Sequence, residues 1–262
     1  MSTDHVLTDP RLTPRLTVSI VSHGNASQLS AVLDSLCAQE QPRDLQLIVT
    51  DNLGHDLPAL DPSPWHSLTL LRNDSPRGFA GNHNTASRHA EGEYFCVLNP
   101  DVLFLEPVFE PLIRRIEAGE GDIAAPLVLD PRGQVQDSFR SLPTPLELFQ
   151  RGALGRRSVP VPGSAALISP DWIAGFFMLM RTSVYSGLGG MDEGYRLYLE
   201  DVEFCTRARL NGFSLVVDPA LRLQHDARRA SRTELSFLLW HVQSALRFFI
   251  SPVYRQAKRL RK

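Results

Sequence analysis

An α/β domain built on a mostly parallel sheet, with a mixed second half, is the fold class this sequence predicts. Three observations lead there. Short β-branched runs alternate with stretches of helical period through the first half. The opening strand, helix and strand fit within about thirty residues, the size of a βαβ unit. Polar clusters interrupt the chain directly after each of several strands, where open α/β sheets gather ligands. The chain has 262 residues, 43% hydrophobic and 21% charged, enough to bury a core without a disulfide or metal staple.

The elements follow in order. Residues 1–15 carry no apolar period and are expected to form a disordered lead-in. Leu16–Ser22 (LTVSIVS) predicts a buried strand, and His23-Gly24-Asn25 ends it. Leu29, Val32, Leu33 and Leu36 recur at helical spacing. Pro42 closes that unit before a second strand, Leu45–Thr50, which runs straight into Asp51-Asn52-Leu53-Gly54. After a proline-rich connection come a third strand, Leu68–Leu71, and a helix opening between Gly78 and Gly81 and ending near Gly92. Tyr94–Leu98 predicts a fourth strand, stopped by Asn99-Pro100-Asp101 because proline cannot continue a central strand.

Pro107–Ala118 predicts a helix and Ile123–Leu129 a strand. Residues 131–170 predict a long irregular loop, a length usually tied to function. Trp172–Met180 predicts one buried strand and Thr182–Leu188 a short helix. Asp201–Asn211 has a helical pattern with Gly212 as its cap. Ser214–Asp218 and Leu221–Gln224 predict short strands, Leu235–Phe249 a helix, and 251–262 a polar basic tail. The domain is expected over 16–250.

Composition excludes several classes. Lys and Arg number 27 against 29 Asp and Glu, a net charge of −2, which argues against a uniformly basic nucleic-acid binder. The total hides an asymmetry: Asp226–Lys262 carries +7 and the rest −9. Cys37, Cys96 and Cys205 have neither metal-ligand nor redox spacing and are expected to be buried thiols in a reducing compartment. The acidic, polar start lacks the apolar core of a signal peptide. No run approaches the eighteen or so apolar residues of a membrane span. A cytoplasmic protein is expected. There is no nucleophile elbow, no GxxxxGK[ST] phosphate loop and no GxGxxG after the first strand, which argues against NAD-dehydrogenase and ATPase readings.

Four polar clusters fall at expected strand ends: Ser22–Asn25, Asp51–Asn52, Gly78–Asn84 and Asn99–Asp101. Asp51 suits a base or ribose, the helix start suits phosphate, and Asp101 suits a divalent cation. Any one of them is equally well explained as a cap or turn residue; four at one sheet edge are not. In the second half Glu200 and Asp201 stand where a helix begins. They fit either a cap or a general base with a neighbour that orients an acceptor. His225 precedes an arginine-rich turn, DARRAS, suited to pyrophosphate oxygens.

Taken together these segments resemble family 2 inverting glycosyltransferases of GT-A fold, and within them the bacterial rhamnosyltransferase-like branch. The residues carrying the resemblance are VSIVSHGN, IVTDNLG, NDSPRGFAGNHNTA, LNPDV, WIAGFFMLMR, GGMDEGYRLYLEDVEFCTRARLNGF and DPALRLQHDARRAS, in order from Leu16 to Phe249. The resemblance implies a nucleotide-diphosphate sugar donor, with dTDP-rhamnose favoured, and a saccharide or lipid-linked saccharide acceptor in surface polysaccharide synthesis. It implies that Asp51 contacts the base beside Ser22, and that Asn82 and Asn84 position ribose and diphosphate. Asp101 and His225 would hold Mg²⁺ or Mn²⁺, with Asn99 beside the donor and Arg228 and Arg229 on the diphosphate. Asp201 would be the catalytic base with Glu200 orienting the acceptor or sharing that role, and Trp172 and Gly175 would shape the acceptor side.

Asn99 stands where the family commonly has the first acid of a D-x-D element. A neutral amide is a weaker ligand than carboxylate and predicts low metal affinity. Two rivals remain. A nucleotidyltransferase would need a Lys-containing Gly-rich start, which VSHGNAS lacks. A non-catalytic nucleotide-sugar-binding subunit is disfavoured by the intact Glu200-Asp201 pair. The basic C-terminal end is expected to attract an anionic membrane surface, placing the protein peripherally at the inner face of the cytoplasmic membrane. No nucleic-acid partner is expected.

Overall fold

Parallel strands covered on both faces need side chains that are apolar throughout rather than alternating, and the central strands meet that demand. This computed structural model describes residues 2–7, 13–54, 57–148, 166–226 and 235–260. β1 spans Ser2–Leu7, β2 Leu16–Ser22, β3 Leu45–Asp51, β4 Ser67–Arg72 and β5 Tyr94–Leu98. Every residue of β3 and β5 is buried. Strands β4, β3, β2 and β5 lie side by side and parallel. α1 (Ala26–Gln39) covers one face with Leu29, Val32 and Leu36, and α2 (Phe79–Ser87) joins β4 to β5.

The second half is mixed, as expected. α3 (Phe109–Glu117) follows the short strand β6 (Val102–Phe104), and β7 spans Ile123–Leu129. β10 (Phe177–Arg181) is inserted antiparallel between β5 and β7. α4 spans Thr182–Gly187, α5 Glu200–Leu210, and β11 (Leu215–His225) runs parallel to β7. The nine-stranded order is β1-β4-β3-β2-β5-β10-β7-β11-β6. Phe104, Phe109 and Phe177 form its aromatic centre, with ring centroids 5.3, 5.9 and 6.4 Å apart.

Several expectations are corrected. The lead-in is not wholly without structure: β1 pairs antiparallel with β4, an edge held by backbone hydrogen bonds that demands no apolar period. Trp172–Met180 is not one strand. β9 (Trp172–Ile173) pairs with β8 (Phe139–Arg140) inside the supposedly irregular loop, and Ala174-Gly175-Phe176 turns the chain into β10. Ser214–Asp218 and Leu221–Gln224 are one strand whose register shifts between Asp218 and Arg222, around Pro219, which has no N–H to give to a ladder. Cys37 is exposed rather than buried.

The C-terminal end is a helix rather than a tail. α6 spans Leu235–Ile250 and α7 Pro252–Leu260. Tyr254 is buried in a second apolar cluster with Leu142, Tyr195, Leu199, Val202 and Phe248, so α7 has an apolar face that binds it to the domain. Arg261 and Lys262 lie outside the described residues. Phe177→Ala should cost about 3–5 kcal/mol, because it empties the fully buried centre of the aromatic group. Chemical denaturation measures it, and a loss under about 1 kcal/mol would show that the centre collapses around the gap.

Candidate active site

The four parallel strands end on one edge, so the segments after them meet. A cleft of about 820 Å³ opens there. Val21 at the end of β2 and His23 and Asn25 after it line it, with Asn52 and Leu53 after β3, and Gly78, Phe79, Gly81 and Asn82 at the start of α2. Asn99 and Asp101 line it after β5, and the segment 193–197 and Trp240 close the far wall.

A buried amide network shapes the floor. Asn73 Nδ2 donates to Asn52 Oδ1 and to Asn82 Oδ1, both at 2.7 Å. Asn52 clamps Arg77 at both ends of its backbone: Oδ1 accepts the Arg77 N–H at 2.8 Å and Nδ2 donates to its carbonyl at 3.0 Å. The loop entering α2 is thereby fixed, and the helix start faces the cleft. Phe79 rests edge-on against His83, 4.4 Å between ring centroids. His83 is fully buried, and burial lowers its pKa to about 3, so this ring stays neutral.

Asp101 and His225 meet at one end of the cleft, Asp101 Oδ1 lying 3.2 Å from His225 Nε2. Gln136 sets the ring. Its Nε2 donates to the His225 carbonyl at 2.6 Å, which turns its Oε1 toward His225 Nδ1 at 2.8 Å. Nδ1 therefore carries a hydrogen, and Nε2 is the ring atom that faces Asp101. Phe176 stacks on the imidazole at 4.3 Å. Asp101 Oδ1 is buried without a hydrogen-bond donor among the described residues. An imidazole nitrogen and a carboxylate oxygen facing each other are a donor set that fits a divalent cation. Carboxylate oxygen and imidazole nitrogen fit Mn²⁺ better than Mg²⁺, which prefers oxygen alone. No group of three His, Cys, Asp or Glu among the described residues forms a complete metal cage, so donor oxygens and water would supply the remaining ligands.

Glu200 and Asp201 open α5 after two consecutive left-handed residues, Tyr198 (φ 71°) and Leu199 (φ 65°). Bulky side chains rarely adopt that backbone. It turns the helix start so that both carboxyls point inward. Asp201 is served by two N–H groups: Gly175 donates to Oδ2 at 3.0 Å and Val202 to Oδ1 at 2.8 Å. Glu200 Oε2 is buried with no partner among the described residues. Desolvation raises the Glu200 pKa to about 8, with the Asp201 charge adding to it. Desolvation also raises Asp201, while the backbone N–H groups oppose the rise. The N–H groups on Asp201 favour it as the member of the pair that ionises first, with Glu200 holding its proton to higher pH. Gly175 permits this approach, since a Cβ there would stand 3.1 Å from Phe79 and 3.4 Å from Asp201. Neither carboxyl lines the cleft; Gly175, which donates to Asp201, sits against the ring of Phe79, which does.

The expected site residues divide three ways. Asn82, Asn99 and Asp101 line the cleft, and His225 joins them through Asp101. Ser22, Asp51, Asn84, Trp172, Gly175, Glu200 and Asp201 do not line it. Ser22 is buried within the sheet edge. Asp51 Oδ1 accepts the N–H groups of Leu53 and Gly54 at 3.1 and 2.8 Å, closing the turn after β3. The wall where the base was expected is Asn52 and Leu53. The Asn84 amide binds Met191 N–H, Met191 O, Glu193 and the Tyr185 hydroxyl at 2.8–3.0 Å, so it tethers the 191–193 segment instead of facing a ligand. Trp172 packs between the two apolar clusters, with Nε1 donating to Ser141 O. Arg228 and Arg229 lie outside the described residues.

Residues not singled out from the sequence also contribute. Arg77 and Arg196 bring cations to the cleft. Arg196 lies over the Trp240 ring, 4.3 Å from its centroid, a cation–π contact between segments more than forty residues apart. GYRLY and LLWH contain the residues but not their meeting.

A fold of this topology with this cleft defines a class, nucleotide-sugar glycosyltransferases of GT-A fold, and comparison with known proteins agrees. The model of glycosyl transferase family 2 matches residues 17–177, more than half of the chain. The chain belongs to glycosyl transferase family 2. It is 28% identical to rhamnosyltransferase WbbL of Escherichia coli, over 88% of this chain and 91% of that protein. It is 27% identical to an N-acetylglucosaminyl-diphospho-decaprenol L-rhamnosyltransferase of Mycobacterium tuberculosis, over 90% and 84%. Among solved structures, GalNAc-T7 with UDP, GalNAc and Mn²⁺ superposes with a TM-score of 0.62 at 17% identity, covering 93% of this chain and 49% of that one. The mannosyltransferase PcManGT of Pyrobaculum calidifontis, with GDP-Man and Mn²⁺, superposes at 0.57 and 20% identity, covering 97% and 71%. These structures share the fold.

The raised Glu200 pKa has a pH signature. Protonated Glu200 suits its buried place, so its stability contribution is complete below pH 4.5 and is lost as pH rises through about 8. Glu200→Gln keeps the shape without the titration. Melting temperatures of wild type should therefore fall relative to Glu200→Gln between these limits. Parallel curves would place an ionised Glu200 in the folded protein.

Proposed function

We propose that this transferase moves a sugar with inversion from a nucleotide-diphosphate donor, dTDP-rhamnose favoured, to a saccharide or lipid-linked saccharide acceptor of bacterial surface polysaccharide. The observation that carries the reading is the buried, adjacent carboxyl pair Glu200–Asp201, with two N–H groups converging on Asp201. The names of the Escherichia coli and Mycobacterium tuberculosis relatives support rhamnose, and the second supports an acceptor on a polyprenyl diphosphate.

In the proposed mechanism Asp201 accepts the proton of the acceptor hydroxyl. That oxygen attacks the anomeric carbon from the face opposite the diphosphate. The bond to the diphosphate oxygen breaks, and its electron pair leaves with the nucleotide. Glu200, protonated, is free to donate a hydrogen bond and orient the acceptor. Arg77 and Arg196 balance charge on the departing diphosphate from the cleft wall. Asp101 and His225 would hold a divalent cation, which supplies further charge neutralisation when bound. The basic C-terminal end would draw the protein to anionic lipid at the inner face of the cytoplasmic membrane.

Asp201→Asn should lower turnover by at least about 100-fold while leaving donor affinity intact; near-normal turnover would remove Asp201 as the base. Asp101→Ala should weaken donor binding in calorimetric titrations with Mn²⁺ present, and an unchanged isotherm would exclude Asp101 from metal holding.

A further inference from the structure

Helix α6 has two opposed faces. Trp240, His241, Ser244, Arg247 and Phe248 turn inward. Trp240 carries the stacked Arg196, the Ser244 hydroxyl donates to Leu197 O at 2.8 Å, and Arg247 pairs with Asp192 at 2.8 Å. Phe248 is fully buried. On the other side stand Leu238, Leu239, Val242, Leu246 and Ile250, between 48% and 70% exposed. At 100° per residue they occupy an arc of roughly 120°, centred opposite the inward face. Isolated exposed apolar residues are ordinary, but an unbroken apolar ridge along a helix marks an interaction surface.

What the ridge touches is indicated by its surroundings. From Leu235 to Leu260 the chain has no acid. Directly after the ridge, α7 exposes Arg255, Lys258 and Arg259 while Tyr254 anchors it to the domain. An apolar helix face joined to an acid-free cationic helix matches the boundary of an anionic bilayer, acyl chains below and phosphates above. α6, at sixteen residues, is too short to span, and no helix among the described residues is long and apolar enough to cross a membrane.

We propose that the α6 ridge, with the α7 cations, is a docking surface that lies in the interface of an anionic lipid bilayer. Its inward face is a wall of the cleft, so docking sets the mouth of the active site at the depth of lipid headgroups. A lipid-linked acceptor would meet Asp201 there. Only this last point rests on the lipid-linked reading above. The ridge, rather than the charged tail alone, gives the binding its orientation.

Sedimentation with vesicles of phosphatidylcholine, with and without phosphatidylglycerol, tests it on the full chain. Wild type should bind the anionic vesicles and lose part of that binding in high salt. The double variant Leu239→Glu/Leu246→Glu should bind at least about tenfold less, with unchanged melting temperature and unchanged donor turnover on a soluble acceptor. Arg255→Gln/Lys258→Gln/Arg259→Gln should lose the preference for phosphatidylglycerol. Equal vesicle binding by wild type and the leucine variant would overturn the proposal. So would a wild-type dimer without vesicle binding that the leucine variant makes monomeric, since the ridge would then cover a second copy. Donor turnover on the soluble acceptor tests the transferase reading separately.

Discussion

Two adjacent carboxyl groups withdrawn from water cannot both be charged, and the second half of the molecule is arranged around that constraint. Glu200 receives no donor at Oε2, whereas Asp201 receives the N–H groups of Gly175 and Val202. The N–H groups converging on Asp201 favour its ionising before Glu200. The arrangement also needs the left-handed pair Tyr198-Leu199, each costing about 1–3 kcal/mol. Such strain persists only where packing enforces it. Leu199 is held in the cluster formed with Phe248 of α6 and Tyr254 of α7, so the C-terminal helices help keep Asp201 in place.

The donor half meets the base half through one segment. Residues 191–199 are tied to α2 by Asn84, to α6 by Ser244 and Arg247, and contribute residues 193–197 to the cleft. Gly78 allows the close fit, because a Cβ there would lie 2.9 Å from the Arg196 carbonyl. The cleft wall and the helix bearing Asp201 are therefore joined through one tethered segment.

The parallel core was legible because buried parallel strands leave an unmistakable trace, continuous runs such as LQLIVT and YFCVL. The strand-end logic brought Asn82, Asn99 and Asp101 to one edge for the same reason. Other features leave no local trace. β1 is an edge strand held by backbone bonds. Asn84 and Asp51 look like ligand residues because a structural amide and a turn-closing carboxylate are made of the same side chains. Gln136 and Trp240 acquire their roles only when distant segments meet. The division between Glu200 and Asp201 depends on which amides face them, which the dipeptide does not encode. The C-terminal helices were half visible: the apolar density of 235–249 showed a helix, but not that its apolar residues split into a packed face and an open ridge.

A single displacement fixes the stereochemistry of the product. Following the anomeric configuration of the first-formed product by proton NMR, with the donor's configuration known, is the most direct measurement. With Asp201 as base and no covalent intermediate, the product must have the configuration opposite to the donor. Retention would contradict the single displacement and require a different role for the Glu200–Asp201 pair.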